Sequence, residues 1–134
     1  MPKKILVAYD GSEPADRAFD QALDMAACYG AELTVLAVAR PPEFGDEVET
    51  EAVVENSRKH YQHVLKPLKD KAPNARFEIA VGHPAVKITA YAEANGIDLI
   101  VMGHRGKTLF ERWLIGSVAK KVMSYAPCSV LVVR

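Results

Sequence analysis

The sequence predicts an α/β domain built around a five-stranded parallel sheet with helices on both faces. Five short apolar runs alternate with longer segments of helical periodicity, which is typical of a doubly wound fold. Most of these runs are nearly continuous Val, Ile, Leu and Ala, as expected for strands that helices cover on both faces. The 134 residues, of which 49% are apolar and 25% charged, fit one globular domain over residues 1–134.

The totals also exclude several classes of protein. The formal net charge is zero, whereas proteins that bind nucleic acids or anionic membranes usually carry a basic excess. No segment approaches the roughly 20 apolar residues of a membrane span, so we expect no membrane insertion. The first residues lack the apolar stretch of a secretory signal, which favours the cytoplasm. Cys28 and Cys128 lack Cys-x-x-Cys spacing, and we expect two reduced, mostly buried thiols.

The strands and helices follow from local signals. Predicted strands cover residues 5–9, 33–39, 76–81, 99–102 and 129–133, and the alternating pattern of the third indicates an edge strand. Ser12 or Asp10 can cap the first helix, and Gly30 ends it. The second helix covers about residues 47–70, where Pro67 is expected to bend it or end it early. The predicted inward stripe of this helix consists of Val54, Ser57, Tyr61, Val64, Leu65 and Leu68. The third begins at His83-Pro84, and the fourth covers residues 118–125.

A long loop between the fourth strand and the last helix, residues 102–117, is the most unusual stretch. Three of the chain's eight glycines, Gly103, Gly106 and Gly116, fall in it, and Ser117 lies where the helix begins. Unpaired N–H groups at a helix start, together with glycine-rich turns, favour an anion. Basic residues outnumber acidic residues in this loop, although the whole chain is neutral. We therefore predict a phosphate site here.

Topology brings a second loop to the same place. In open parallel sheets, ligands bind beyond the carboxyl ends of the strands, where the winding reverses. The common strand order 3-2-1-4-5 places this reversal between strands one and four, next to residues 9–12 and 102–106. Val38, at the end of strand two, could offer backbone groups to a planar base, and Asp10 could accept from ribose hydroxyls. This combination predicts a nucleoside di- or triphosphate site.

Each of these residues also has a purely structural interpretation. Asp10 can be interpreted equally well as a simple helix cap or as a ligand-binding residue. The structural interpretation of Gly103 is that it eases a turn after the strand. His104 is better interpreted as a loop residue than as a catalyst. His60 and His63 are three residues apart but fit a solvated surface better than a metal site. We predict no metal-ligating and no catalytic residue.

Two familiar nucleotide motifs are absent. The segment from Gly106 to Thr108 matches the end of a Walker A motif. That motif also requires a glycine five residues before Gly106, where this sequence has Val101. No Gly-x-Gly-x-x-Gly follows any predicted strand, so the dinucleotide fingerprint is missing as well.

A different motif is present. Gly103-x-x-Gly106, nine residues and then Gly116-Ser117 resembles the Gly-x2-Gly-x9-Gly-(Ser/Thr) motif of the ATP-binding branch of the universal stress protein family. Residues 5–12, 98–103 and 127–133 are similar to that family too, so the resemblance covers essentially the whole chain. It implies a Rossmann-like sheet, as in adenine nucleotide alpha hydrolases, and a homodimer paired through the last strand.

The resemblance also implies positions for ATP, which Mg²⁺ or Mn²⁺ could accompany. The phosphates would lie at Gly103, Gly106, Gly116 and Ser117. The ribose would lie at Asp10 and the adenine at Val38. Met102, Arg105 and Val118 would line the site by position.

Binding and hydrolysis remain separate hypotheses. Phosphoryl transfer needs an oriented nucleophile and charge at the γ-phosphate, and no base is evident there. We therefore favour an ATP-binding regulatory protein for the stress response, with an unknown protein partner left open. The alternative is a slow ATPase or a self-phosphorylating enzyme, with Ser117 or Thr108 as acceptor. A flavodoxin-like electron carrier is compatible with the fold, but the sequence lacks an obvious pair of aromatic residues to sandwich a flavin. A response-regulator receiver is also compatible with the fold, but it would need clustered acids at the ends of strands one and three and a lysine after strand five.

Overall fold

A computed structural model of the chain describes residues 1–106 and 114–134. Strands and helices alternate as the sequence predicts, and the bounds of most elements agree with the predicted ones to within one residue. The elements are β1 Lys4–Ala8, α1 Glu13–Tyr29, β2 Glu32–Ala39, α2 Glu47–Lys71, β3 Arg76–Val81, α3 Pro84–Ala94, β4 Leu99–Gly103, α4 Ser117–Tyr125 and β5 Ser129–Val133.

The five strands form one parallel sheet in the order β3-β2-β1-β4-β5. The predicted fold class and strand order are confirmed. In the centre of the sheet, Ile5 of β1 pairs with Leu33 of β2 on one side and Leu99 of β4 on the other. The edges are β3, as its alternating sequence predicts, and β5.

Alternate residues of the strands supply two separate cores, one on each face of the sheet. Ile5 and Val7 of β1, and Tyr9 directly after it, pack with α1 and α2, where Phe19 and Leu65 are buried. The opposite face of the sheet packs with α3 and α4. Every central strand is therefore covered on both faces, which explains the nearly continuous apolar runs.

Short local signals define the helix ends. The Ser12 hydroxyl accepts a hydrogen bond from the Ala15 N–H at 3.2 Å at the start of α1, and Gly30 ends that helix at a φ of 65°. The Asp46 carboxylate accepts one from the Glu49 N–H at 2.8 Å at the start of α2. Both long helices therefore begin with a side-chain cap.

One of the two alternatives for Pro67 was wrong: it does not end α2 early, since the helix continues to Lys71. The other alternative, a bend at Pro67, stays a prediction. Its neighbours Leu65 and Leu68 are buried against the sheet, and this packing outweighs the hydrogen bond that proline removes. Cys28 is exposed rather than buried, because it lies on the outer side of α1.

Asp98 connects two strands at the amino edge of the sheet. Its Oδ2 accepts hydrogen bonds from the backbone N–H groups of Lys3 at 2.8 Å and Lys4 at 2.9 Å. These bonds stabilise the charged carboxylate and lower the pKa of Asp98. The start of β1 is thereby joined to the start of β4. Within the described ranges, no helix is both long enough and apolar enough to cross a membrane.

Candidate nucleotide site

The turn after β1 and the loop after β4 meet at the carboxyl edge of the sheet. These two strands are neighbours, and the winding of the chain reverses between them. A Cβ atom on Gly106 would lie 3.0 Å from Oδ2 of Asp10. The structure therefore brings together the two loops that the sequence singles out.

Asp10 has a structural role as well as a position in the crevice. Its Oδ1 accepts a hydrogen bond from the Ser12 N–H at 3.0 Å, which forms a turn before α1. Its other oxygen, Oδ2, is the one that faces Gly106. The two interpretations that the sequence leaves open are therefore compatible, because each uses a different oxygen of the same carboxylate.

Gly103 is required by packing. A Cβ atom at this position would lie 2.7 Å from Cβ and 2.9 Å from the carbonyl carbon of Pro14. Both distances are shorter than normal contacts, and one of the two atoms belongs to the backbone. Only glycine therefore lets the end of β4 approach the start of α1 this closely.

His104 holds the two ends of the segment of residues 102–117, called the glycine loop, together through its backbone. Its N–H donates to the Val133 carbonyl at 2.7 Å, and its carbonyl accepts from the Gly116 N–H at 2.7 Å. The imidazole is buried, with 2% of the residue exposed. His104 is therefore a structural residue between β5 and α4, in agreement with its interpretation as a loop residue.

Residues 107–113 lie outside the described part of the chain. They include Lys107, Thr108 and Arg112. The candidate acceptor role of Thr108 and the positive charge of Lys107 and Arg112 thus remain sequence predictions.

The start of α4 differs from the starts of the two long helices. Gly116 is the N-cap residue, the cap makes no side-chain hydrogen bond, and the first turn contains no acidic residue. A helix N-terminus carries partial positive charge and unpaired N–H groups. Ser117, the first residue of α4, is exposed. This helix end is therefore suited to an anion from outside the helix.

All the predicted binding residues line one cavity of about 470 Å³, within the roughly 300–1,000 Å³ of small-molecule sites. They are Asp10, Val38, Met102, Gly103, Arg105, Gly106, Gly116, Ser117 and Val118. The cavity is also lined by Arg40, Tyr61, Pro84, Ile88 and Lys120, which the sequence did not single out.

Different signals could have indicated some of these additional residues. Pro84 begins α3 at the carboxyl edge, so the predicted topology alone would have placed it there. Tyr61 belongs to the predicted inward stripe of α2 and is partly buried. Arg40 directly follows β2, and Lys120 lies one turn into α4. Nothing in the sequence distinguishes Lys120 from its neighbour Lys121.

One side of the cavity is apolar and lies next to backbone groups of β2 beyond the end of β1. The β1–β2 pairing ends at Ala8 and Leu36, after which the Tyr9 N–H donates to the Leu36 carbonyl at 2.9 Å. Alternate residues of a strand direct their backbone groups to the same side, so Val38 directs its own past the end of β1. Val38 therefore combines an apolar surface with backbone groups that face the crevice.

Two tyrosines near Asp10 are held in the neutral form. Burial raises the pKa of Tyr61, and the negative charge of Asp10 raises it further. Burial also raises the pKa of Tyr9, whose hydroxyl donates to Oδ1 of Asp16 at 2.5 Å. Both side chains are therefore hydroxyl donors at neutral pH.

A second cavity, of about 640 Å³, lies at the opposite edge of the sheet. Lys4 and Glu32, at the starts of β1 and β2, line it, together with the segment Lys71 to Arg76. It contains neither the glycine loop nor a helix N-terminus. The cavity of about 470 Å³ is therefore the better candidate for the nucleotide site, although the other cavity is larger. In the described residues, no group of three or more His, Cys, Asp and Glu side chains could hold a metal ion.

Several solved structures have the same fold. The universal stress protein UspA from Lactobacillus plantarum is 31% identical and superimposes with a TM-score of 0.88, covering 98% of this chain and 97% of that one. A universal stress protein in complex with cAMP is 22% identical, with a TM-score of 0.67 and coverages of 99% and 97%. The Archaeoglobus fulgidus protein in complex with dAMP is 20% identical, with a TM-score of 0.63 and coverages of 98% and 97%.

Sequence comparison identifies the family. The universal stress protein YxiE of Bacillus subtilis is 34% identical, and the alignment covers 100% of both chains. The universal stress protein MJ0531 of Methanocaldococcus jannaschii is 35% identical over 98% of this chain and 82% of that one. The model of the universal stress protein family matches residues 1–134. The chain therefore belongs to the universal stress protein family.

Proposed function

We propose that this chain is an ATP-binding regulatory protein of the stress response, with one nucleotide site in the crevice between β1 and β4. The observation that carries the proposal is the one cavity that all nine predicted residues line, in which Oδ2 of Asp10 lies 3.0 Å from the position that a Cβ atom on Gly106 would take. Two proteins of the same fold were solved with the adenine nucleotides cAMP and dAMP. The fold therefore accommodates adenine nucleotides in those proteins.

The residues that line the cavity support one orientation of the bound nucleotide. Val38 offers an apolar surface and backbone groups, which suit an adenine edge. Oδ2 of Asp10 suits ribose hydroxyls, since a carboxylate accepts hydrogen bonds. The phosphates are assigned to Gly106 and the start of α4, where N–H groups favour anions. Mg²⁺ or Mn²⁺ would accompany the phosphates, since these hard cations prefer oxygen ligands such as those of phosphate groups.

Binding without fast hydrolysis is the better-supported activity. Among the described residues that line the cavity, Asp10 is the one carboxylate, and it is assigned to the ribose. No general base is therefore available beside the phosphates in this part of the chain. The second candidate is slow ATP hydrolysis or self-phosphorylation. The exposed hydroxyl of Ser117 at the cavity wall is the observation that favours it.

A bound nucleotide would contact the turn after β1 and the loop after β4 at the same time. The backbone hydrogen bond from His104 to Val133 connects that loop to β5. We propose that β5, an edge strand, pairs two copies of the chain into a homodimer. Nucleotide binding would then bias the loop or the dimer. Since ATP is a cytoplasmic metabolite, we assign the protein to the cytoplasm.

The test begins with freshly purified protein, which is denatured so that released small molecules can be identified by chromatography and mass spectrometry. An adenine nucleotide in the extract is the expected result. The emptied protein is then incubated with γ-labelled ATP. Release of label, or label on the protein, within hours would favour the enzyme over the binding protein. No nucleotide in the extract and no retention of added ATP would contradict the proposal.

A further inference from the structure

We infer that Lys120 makes this site selective for nucleoside polyphosphates over nucleoside monophosphates. The inference rests on the proposed nucleotide site and assigns a residue that determines its specificity. Three basic side chains, Arg40, Arg105 and Lys120, line the cavity, whereas Asp10 is the one acidic residue among the described lining residues. This excess of positive charge fits a ligand with more than one phosphate.

The three basic residues lie in different parts of the cavity. Arg40 follows β2 and is close in sequence to Val38, at the end assigned to the base. Arg105 lies in the glycine loop between β4 and α4. Lys120 lies in α4, where its N–H donates to the Gly116 carbonyl at 3.0 Å. Arg40 and Lys120 both lie outside the segment from Gly103 to Gly116. Of these two residues, Lys120 is the one at the phosphate end of the cavity.

The direction of helix side chains brings this lysine to the start of α4. Side chains of a helix lean toward its N-terminus, so a residue covers the turn that precedes it. The preceding turn begins with Gly116 and Ser117, which line the same cavity. The Lys120 ammonium group is therefore placed to act together with the N–H groups of that turn on one anion.

A lysine this close to the start of a helix is electrostatically unfavourable, and a bound anion would offset this cost. Cations near a helix N-terminus are repelled by the positive end of the helix dipole. The first turn of α4 has no acidic residue, and Lys120 forms no ion pair in the described part of the chain. The α1 and α2 helices, in contrast, have two acidic residues each in their first turns. A polyphosphate would supply the missing negative charge.

Calorimetric titrations with ATP, ADP and AMP test this inference on Lys120→Met, which removes the charge and keeps the length of the side chain. Lys121→Met is the matched control, because Lys121 is the adjacent exposed lysine and does not line the cavity. We expect Lys120→Met to weaken ATP binding about tenfold and AMP binding less than twofold, as for loss of a charge-assisted hydrogen bond. Lys121→Met should bind all three nucleotides like the wild type.

The other outcomes separate this inference from the proposed function. If Lys120→Met binds ATP as tightly as the wild type, or loses ATP and AMP equally, Lys120 does not select polyphosphates, while the nucleotide site stands. An equal effect of Lys121→Met would indicate general surface charge and would also overturn the inference. If the wild type binds none of the three nucleotides, the proposed function fails, and the inference fails with it.

Discussion

Gly103 and Gly106 lie in one loop, but different neighbours require them to be small. A Cβ atom on Gly103 would collide with Pro14, including a backbone atom, whereas one on Gly106 would meet the end of the Asp10 side chain. We expect Gly103→Ala to lower the free energy of unfolding by about 1–3 kcal/mol, as overpacking does. Gly106→Ala should change it by well under 1 kcal/mol, since a flexible carboxylate can move. Urea denaturation measures both.

The same pair separates packing from binding. Gly106→Ala should displace the Asp10 carboxylate and weaken ATP binding while the protein stays folded. Equal free energies of unfolding for the two variants would show that the contact with Pro14 does not require glycine at position 103.

Asp10 gives a second test at the scale of the residue. We expect Asp10→Ala to weaken ATP binding about tenfold, because a partly buried charged acceptor of ribose hydroxyls is lost. Binding of inorganic triphosphate should not change, since it has no ribose. Asp10→Asn is the control, because it keeps an oxygen for the Ser12 N–H and hence the turn. An equal loss of ATP and inorganic triphosphate, measured by calorimetry, would assign Asp10 to the turn alone.

Residues on the loops that follow strands could be predicted from the sequence, and residues on helix faces could not. The spacing of Gly103, Gly106 and Gly116 fixes their relation to one strand and one helix start. Tyr61 and Lys120 line the cavity because α2 and α4 pack on the sheet next to it. That packing depends on tertiary contacts that no local pattern encodes.

At the scale of the element, Asp98 predicts a pH-dependent stability. Its folded pKa is lower than its ordinary value of 3.8, because the Lys3 and Lys4 N–H groups donate to the charged form. Its contribution is therefore fully present above the ordinary value and is lost as the pH falls through the lowered folded pKa. We expect Asp98→Ala to have a lower urea midpoint than the wild type at pH 7.

The difference between the two proteins should shrink as the pH falls below 3.8, because the wild-type carboxylate is then protonated. Parallel curves for wild type and Asp98→Ala down to acid pH would show that the charge of Asp98 does not join β1 to β4.

The second helix shows where local rules are overridden. Proline in a helix interior costs about 3 kcal/mol, so Pro67 predicts an early end. The helix nevertheless continues to Lys71, because Leu65 and Leu68 on either side of Pro67 are buried. The inward stripe predicted for this helix was correct, since it depends on the same burial.

At the scale of the whole molecule, β5 is the exposed edge at which a second copy would pair. The Val133 carbonyl accepts from His104, so the backbone of Val133 faces β4 and that of Val132 faces outward. We expect the wild type to have twice the mass of the chain in light scattering. Val132→Pro should be a monomer, because proline removes an outward N–H.

Val132→Thr keeps that N–H and should remain a dimer. A Val132→Pro variant that stays dimeric, or a wild type that is a monomer, would exclude pairing through this edge.

The architecture was the most predictable level of the molecule. Alternating apolar runs and helical segments, combined with right-handed crossovers, leave few strand orders, and the observed order was among them. The partner of the β5 edge is not predictable in the same way, because the chain contains one copy of the strand and pairing needs another.

The central claim is that the crevice between β1 and β4 binds ATP, and a calorimetric titration of nucleotide-free wild type and Gly116→Val tests it most directly. Gly116 has a φ of −65°, which any residue can adopt, so the effect of valine is its added volume at the start of α4. Circular dichroism and thermal unfolding establish that the variant is folded. We expect saturable binding of ATP to the wild type and none to folded Gly116→Val. Equal binding by both proteins would place ATP outside this crevice.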